Sequence, residues 1–139
     1  MATMQCEIVS AERQLFSGTI TKLTAVGSIG GLGIYPGHAP LLTGLRPGPV
    51  TLAMENGEEE VFFASGGFIE IQPGMITILA DTAARAEDIS EAQAEEARQA
   101  AERALGDQQA GFDHSVAQAM LAEAMAQQRT LEELRKIRR

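Results

Sequence analysis

The chain has 139 residues, a formal net charge of −8, one cysteine, one tyrosine and no tryptophan. This length allows one domain, or a small domain with an appendage, and the lone Cys6 excludes an internal disulfide and is expected to be a small buried hydrophobe. The acidic balance and the scarcity of aromatic residues argue against nucleic acid as a partner, because neither a basic surface for phosphates nor a platform for base stacking is available.

The N-terminal segment has no basic flank followed by an apolar core, so we expect no secretory signal peptide. Residues 31–48, GLGIYPGHAPLLTGLRPG, are largely apolar but are interrupted repeatedly by glycine and proline. A membrane-spanning helix needs roughly 20 apolar residues without such breaks. We therefore expect a soluble chain that is not exported.

Residues 1–86 consist of short apolar runs separated by turn residues, which is typical of a compact all-β unit. Asn56-Gly57 lies between PVTLAM and EEVFFAS and predicts a two-residue type I′ hairpin. Pro73-Gly74 separates two alternating runs and predicts a second hairpin with a type II turn. With the runs CEIVS, RQLFS, TITKLTAVG, IYPG and PLLTG, we expect about eight to ten strands in a sandwich or flattened barrel. No crossover helix lies among them, so a parallel sheet is not expected.

Residues 87–139 have a helical pattern and predict an antiparallel two-helix hairpin, so the whole chain is predicted to be α+β. Ser90 and Gln93 form a capping box at the start of the first helix, and Gly106 is expected to end it. Asp113 is placed to cap the second helix.

The two helices are expected to pack through small side chains. The predicted stripe on the second helix consists of Ala117, Leu121, Ala124, Gln128 and Leu131, and the first helix offers Ala97, Ala100, Ala101 and Ala104. Because alanine buries little apolar area, the contact is worth only a few kcal/mol at about 25 cal/mol per Å². We therefore expect a weakly held hairpin that a partner can displace.

The C-terminal end of the chain is basic although the protein is acidic. Residues 129–139 contain four arginines and one lysine against two glutamates, a net of +3, whereas the other 128 residues carry −11. We call the cations Arg129, Arg135, Lys136, Arg138 and Arg139 the basic tip. They either complement the dipole of the helix C-terminus or dock onto an acidic partner.

Motifs of catalysis are absent from the sequence. The run GSIGGLG at residues 27–33 is followed by neither a lysine nor a helix, so a phosphate-binding loop is not expected. The best hydrolase-like set that we can assemble is Ser65, His38 and Asp81, but residues 65–67 are better explained as a turn. We expect neither an enzyme nor a bound cofactor or metal, and His38 is better interpreted as a loop residue offered to a partner.

Several segments together resemble the epsilon subunit of bacterial rotary ATP synthase. They are FSG at residues 16–18, LGIYPGHAPLLT at 32–43, SGG at 65–67 and QPGMITILADTA at 72–83, followed by the helical hairpin. The resemblance covers essentially the whole chain. It implies an N-terminal β-sandwich with two C-terminal helices and a non-catalytic rotor part, peripheral on the cytoplasmic face of the bacterial inner membrane. Such subunits bind the gamma subunit and the c-ring in the central stalk, while catalysis takes place on beta subunits.

The resemblance also implies a contact segment for the c-ring. It consists of Ile29, Gly31, Leu32, Tyr35, Pro36 and His38. In many relatives the positions of Ile29 and Gly31 are acidic, and here they are not. We therefore expect the ring to be held by packing and hydrogen bonds, with an attachment that is less sensitive to salt.

For the helical hairpin the resemblance implies two states. Packed on the sandwich it is permissive, and extended along gamma it reaches the alpha and beta subunits and blocks ATP hydrolysis, where the basic tip would meet acidic segments. Some relatives bind ATP through an IDxxRA-like motif, but the matching ISEAQA has Ser90 and Gln93 instead of aspartate and arginine. Arg98 and Arg103 remain as doubtful nucleotide ligands. A free-standing β-sandwich ligand-binding module and an ATP-sensing regulator stay open as alternatives.

Overall fold

The computed structural model describes residues 2–106 and 114–138. Within these residues nine strands precede two helices. The strands are β1 Met4–Ser10, β2 Gln14–Gly27, β3 Gly30–Ile34, β4 Leu41–Leu45, β5 Gly48–Met54, β6 Glu59–Ala64, β7 Gly67–Gln72, β8 Met75–Ala80 and β9 Ala83–Arg85. A 3₁₀ turn at Ala86–Asp88 leads to α1 (Glu91–Gly106) and α2 (His114–Ile137). The predicted α+β fold, a β-sandwich followed by a helical pair, is confirmed.

The strands form one curled sheet in the order β1-β8-β7-β4-β2-β5-β6-β9, with β3 on β2 and an additional pairing of β1 with β2. Among the described residues one pair is parallel: β1 and β8 run side by side from Gln5–Met75 to Ser10–Ala80. As expected, the sheet is therefore not a parallel one, but nothing in the sequence indicated this single parallel pair. The six strands between β1 and β8 supply the long connection that a crossover helix supplies in a βαβ unit.

Strand β2 joins the two layers of the sandwich. The runs RQLFS and TITKLTAVG predicted two strands, but residues Gln14–Gly27 form one. Its first half pairs with β1 as far as Ile20, and its second half pairs with β5, with a register shift between Ile20 and Lys22. A bulge of this kind increases local twist and lets one strand serve both layers.

The predicted Pro73-Gly74 hairpin is confirmed. Gln72 pairs with Met75, so two residues form the turn, and Gly74 has the positive φ of 76° that a type II turn requires at its third position. The alternation along both strands points four isoleucines into the core, namely Ile69, Ile71, Ile76 and Ile78.

The Asn56-Gly57 hairpin exists, but its connection is one residue longer than predicted. The Met54 amide donates to the Glu58 carbonyl at 2.8 Å, which leaves three residues in the loop. The Gly57 amide donates to the Met54 carbonyl at 3.1 Å, and Gly57 has a φ of 86°. The side chain of Asn56 accepts a hydrogen bond from the Glu58 amide at 2.9 Å, and this local bond favours the longer loop.

The core of the sandwich consists of apolar side chains that alternate along the strands. The largest fully buried ones are Ile8, Ile20, Leu23, Ile34, Leu52, Phe62, Ile69, Ile71, Ile76 and Ile78. The prediction for Cys6 is confirmed, because its side chain is fully buried in this core. Burial, with a smaller contribution from Glu7, raises the pKa of the Cys6 thiol to about 12, so the thiol is unreactive at neutral pH.

Helix α1 has the predicted bounds. The Gln93 amide donates to Ser90 Oγ at 3.2 Å, so Ser90 caps the helix, and the helix ends at Gly106. The predicted cap of the second helix, Asp113, lies outside the described residues.

Helix α2 packs on the outer side of β5 and β6. Strand β6 is therefore buried on both faces: Phe62 belongs to the sandwich core, whereas Val61 and Phe63 are buried outside that core. On the helix, Ala126 and Thr130 are fully buried, and the Thr130 hydroxyl donates to the Ala126 carbonyl at 2.8 Å. The two helices thus dock on the sandwich mainly through α2.

The contact between α1 and α2 uses small side chains, as predicted. The α2 stripe is buried at Ala117, Ala124 and Leu131. On α1, Ala101 is buried, but Ala97 and Ala100 are exposed, so their assignment to the contact is wrong. Ala94 takes their place, because it lies two helical turns before Ala101 on the same face.

Candidate functional site

The outer face of the sandwich carries a row of apolar side chains across four strands. Phe68 on β7 is 57% exposed and Leu79 on β8 is 52% exposed, and the two residues are direct cross-strand partners. Val9 on β1 is paired with Leu79 and extends the row. Leu42 on β4 is also exposed and lies two residues from Gly44, the partner of Phe68. We call Leu42, Phe68, Leu79 and Val9 the outer apolar surface.

The sequence alone did not predict this surface. Because outward positions of an antiparallel strand are usually polar, an apolar residue in a strand is expected to face the core. Phe68 and Leu79 could therefore not be told from core residues. Single exposed hydrophobic residues are common, but adjacent ones on neighbouring strands indicate a binding site. The segment GFIEIQ did contain a signal for Phe68. In the strand alternation Phe68 is in phase with Glu70 and Gln72, so its side chain points to the same outer face as theirs.

Ile29 stands at the tip of the turn between β2 and β3. Its side chain is 96% exposed, and Gly27 pairs with Gly30 across the turn. The Ser28 amide donates to the Gly44 carbonyl at 3.0 Å, so the tip is anchored to β4. Exposure of this isoleucine to water is unfavourable in free energy, and the anchored tip cannot turn it inward. Contact with a partner surface would bury the side chain and remove this cost.

The other predicted contact residues do not all lie beside Ile29. Gly31 and Leu32 belong to β3, and Leu32 is partly buried against the core. Tyr35 and Pro36 follow the end of β3. The five residues of β3 thus separate the Ile29 tip from Tyr35 by about 17 Å at the usual rise per strand residue.

The turn after β3 forms a second, distinct feature. Tyr35 is exposed, and the Lys22 ammonium lies 5.6 Å from the centroid of its ring. The His38 amide donates to the Tyr35 carbonyl at 3.2 Å, and His38 Nδ1 lies 2.7 Å from the Ala39 carbonyl oxygen. His38 is therefore half-buried and engaged with backbone.

The structure separates the hydrolase-like set. Ser65 Oγ accepts a hydrogen bond from the Thr82 amide at 2.9 Å, next to the start of β7, and the Asp81 amide donates to the Gly66 carbonyl at 3.0 Å. His38 instead lines a cleft with Gln72, at the far end of β7. The six residues of β7 place them about 20 Å apart, so no nucleophile and base pair forms.

Two cations of the basic tip contact acidic residues at the start of the helical region. Arg135 forms an ion pair with Glu91, the first residue of α1. Arg138 Nη2 lies 3.1 Å from Glu87 Oε2, in the 3₁₀ turn. Both pairs join the end of α2 to the start of α1, so the helices are antiparallel.

The rest of the basic tip is less constrained. Lys136 Nζ lies 3.4 Å from Glu133 Oε1 within α2. Arg129 is exposed and makes no ion pair with the part of the chain that the structure describes. Arg139 lies outside the described residues.

The arginine proposed as a nucleotide ligand on α1 is already engaged. Arg98 forms ion pairs with Glu95 and with Glu102, the latter at 2.6 Å. Glu95 also accepts a hydrogen bond from Gln128 Nε2 at 2.5 Å. Hydrogen bonds from Arg98, and then from Gln128, lower the pKa of Glu95 to about 2, so this carboxylate stays ionised.

The cleft between the two helices is acidic. Its volume is about 340 Å³, and it is lined by Glu91, Glu95, Gln128, Leu131, Glu132 and Arg135. Three carboxylates against one guanidinium repel the phosphates of a nucleotide. Arg103, the other doubtful ligand, is exposed and does not line this cleft.

Comparison with known proteins gives a consistent result. Residues 3–86 match the family described as ATP synthase, Delta/Epsilon chain, beta-sandwich domain, and residues 87–132 match its long alpha-helix domain. The ATP synthase epsilon chain of Chromohalobacter salexigens is 57% identical over 135 residues, which are 97% of this chain and 96% of the relative.

Two solved structures share the fold at low sequence identity. A chain of the Euglena gracilis mitochondrial ATP synthase, OSCP/F1/c-ring, is 18% identical with a TM-score of 0.83, covering 92% of this chain and 81% of that one. A chain of the Tetrahymena thermophila mitochondrial ATP synthase, central stalk and c-ring, is 15% identical with a TM-score of 0.65, covering 92% and 96%. In residues 2–106 and 114–138 no helix is long and apolar enough to cross a bilayer. The resemblance found in the sequence is confirmed: the chain belongs to the ATP synthase delta/epsilon chain family, as a non-catalytic epsilon chain.

Proposed function

We propose that this epsilon chain joins the gamma subunit to the c-ring in the central stalk of ATP synthase and that its helices restrain ATP hydrolysis. The observation that carries the proposal is the presence of two separate exposed apolar sites on one rigid sandwich, the outer apolar surface and the Ile29 tip. A joint that transmits torque needs two attachment sites on a body that does not deform. The chain would then be peripheral on the cytoplasmic face of the membrane, held there only by the complex.

We assign gamma to the outer apolar surface. Permanent interfaces are more hydrophobic than transient ones, and Phe68 and Leu79 offer two large exposed side chains next to each other on the outer face of the sheet. A free-standing ligand-binding module would need a concave pocket instead. The cleft at the turn after β3 has a volume of about 90 Å³, whereas pockets for small molecules typically measure about 300–1,000 Å³.

The experiment that tests the proposal is capture of the tagged full chain from detergent-solubilised native membranes, followed by identification of gamma and c-subunits in the eluate. We expect both at stoichiometric amounts. A stable monomer that retains neither subunit would favour the free-standing module.

The attachment of the ring is expected to resist salt. Because Ile29 carries no charge and Gly31 no side chain, screening removes little of the attraction between the tip and the ring. We predict that the fraction of chain retained on the c-ring changes little between about 50 and 500 mM NaCl, where the Debye length falls severalfold. An Ile29→Glu variant should become salt-sensitive, and steep dissociation of the unaltered chain over this range would contradict the assignment.

Removal of the second helix is expected to release ATP hydrolysis. We predict that deleting residues 112–139 raises hydrolysis by the assembled complex about fivefold or more, the size of a typical coupling between sites, without loss of assembly. Hydrolysis and the stoichiometry of the purified complex are the two measurements.

A second variant separates the helix from its charge. Changing Arg129, Arg135, Lys136 and Arg138 to glutamine keeps the helix α2 and removes these cations, because glutamine is also a good helix former. If the basic tip binds acidic segments of the catalytic subunits, this variant also raises hydrolysis. If neither the deletion of residues 112–139 nor the glutamine variant changes hydrolysis, the cations only complement the dipole at the C-terminus of α2.

A further inference from the structure

The end of α2 is fastened to the segment that leads from the sandwich into α1. Glu87 lies in the 3₁₀ turn and Glu91 begins α1, so the two carboxylates flank the capping residue Ser90. Arg138 pairs with Glu87 and Arg135 with Glu91. We call these two ion pairs the clasp. Since they bracket the point where the chain passes from the sandwich into α1, opening of the hairpin by movement of α2 must break both ion pairs.

The surroundings of the clasp add to its attraction. Arg138 lines a cleft of about 220 Å³ whose other charged residues are Glu58, Glu59, Glu60, Arg85 and Glu87. Arg85 lies 3.5 Å from Glu60, which leaves Glu58 and Glu59 without a paired cation among the described residues. The surface under the end of α2 is therefore acidic. Its unpaired carboxylates attract the basic tip in addition to the two ion pairs of the clasp.

The apolar contact beside the clasp is small. On α2 its fully buried residues are Ala126 and Thr130, which bury little apolar area. The larger Leu134 and Ile137 line the cleft beside Val61 but are only half-buried. All four members of the clasp are more than half exposed, so salt screens their attraction. Docking of α2 thus depends on a weak apolar contact and on a charge interaction that ionic strength weakens.

We propose that the clasp is an intramolecular competitor for the basic tip, switched by ionic strength. This inference rests on the proposed function, because the guanidinium groups of Arg135 and Arg138 are those that would meet an acidic partner. A guanidinium whose donors face a hinge carboxylate cannot present the same donors to a partner. Glu87 and Glu91 therefore hold the chain in the permissive state, and loss of either carboxylate favours release.

The test measures release in the isolated full chain. Spin labels are placed at Glu55→Cys, on the β5–β6 turn, and at Ala122→Cys on α2, both of which are exposed. Pulsed electron paramagnetic resonance then gives the populations of short and long distances between the two labels. Cys6 need not be replaced, because its buried thiol has a pKa raised to about 12. We expect the Glu87→Gln/Glu91→Gln variant to raise the ratio of released to docked chain about threefold to tenfold.

Salt and two further variants complete the test. Raising NaCl from about 50 to 500 mM should release the unaltered chain and affect the double variant less. Glu96→Gln/Glu123→Gln changes the net charge equally at two exposed positions outside the clasp and should leave the ratio unchanged. Arg138→Gln, which removes the cation of one ion pair, should also raise the ratio. An unchanged ratio in Glu87→Gln/Glu91→Gln, or an equal change in the control, overturns the proposal.

The assembled complex distinguishes failure of the clasp from failure of the proposed function. With both correct, Glu87→Gln/Glu91→Gln lowers ATP hydrolysis in the complex as well as releasing α2 in the isolated chain. Release without a change in hydrolysis would support the clasp and contradict the inhibitory role. No release in the isolated chain overturns the clasp, whatever deletion of residues 112–139 does to hydrolysis.

Discussion

Replacement of Phe68 and Leu79 by serine is expected to weaken binding to the gamma subunit by about 10-fold to 150-fold while the sandwich stays folded. Each side chain is about half exposed in the free chain, and burying the exposed half of a phenylalanine or leucine contributes about 0.8–1.5 kcal/mol. Two such losses total about 1.5–3 kcal/mol, and each 1.4 kcal/mol is a factor of about ten in the dissociation constant. Titration calorimetry of the full chain against purified gamma subunit measures the effect.

The matched control uses apolar residues of similar exposure elsewhere. Val116 and Met120 on α2 are 50% and 49% exposed and lie away from the β7–β8 face. Their replacement by serine removes a comparable amount of exposed apolar surface, and we expect gamma binding to be unchanged. Equal weakening by both double variants, or unchanged binding after replacement of Phe68 and Leu79, would refute the assignment of gamma to the outer apolar surface.

Substitution of Gly67 by alanine is expected to destabilise the chain by about 3 kcal/mol or more. Gly67 has a φ of 127°, and a Cβ built there would lie 2.1 Å from the Leu79 carbonyl oxygen and 2.9 Å from Ala80 Cα. The backbone strain alone costs about 1–3 kcal/mol, and the clash forces β7 and β8 apart where their pairing begins. The free energy of unfolding from urea titration is the measurement. The second glycine of the SGG segment is thus required by the close approach of β8, which also positions Phe68 beside Leu79.

Gly74 is the matched control, because it has a positive φ without a close contact. Its φ is 76°, and a Cβ there would meet no atom within 4 Å. Gly74→Ala should therefore cost only the left-handed backbone, about 1–2 kcal/mol. The account of Gly67 fails if the two alanine variants are equally stable.

The strands and their turns were predictable because they depend on neighbours in sequence. The alternation in FIEIQPGMITIL and the turn residues Pro73-Gly74 define a hairpin without reference to the rest of the chain. The parallel pairing of β1 with β8 was not predictable in this way, since it joins residues about 70 positions apart and depends on how the whole sheet curls. The length of the Asn56-Gly57 loop was decided by one side-chain hydrogen bond that the dipeptide pattern does not contain.

The candidate site was predictable where an apolar residue lies in a segment that is expected to be exposed, such as a turn. Ile29 lies between glycine and serine in a turn, so its exposure follows from the sequence alone. Phe68 and Leu79 fit the strand pattern, and only the register shows that they face each other on the outside. The clasp was missed for the same reason: Glu87 and Arg138 are 51 residues apart, and charge counts along the chain do not say which carboxylate a cation will contact.

Electron cryo-microscopy of the native ATP synthase that contains this chain tests the central claim most directly. The account predicts that Phe68 and Leu79 are buried against gamma while Ile29 of the same molecule contacts the c-ring. A reconstruction in which the outer apolar surface faces solvent, or in which Ile29 points away from the ring, would contradict it.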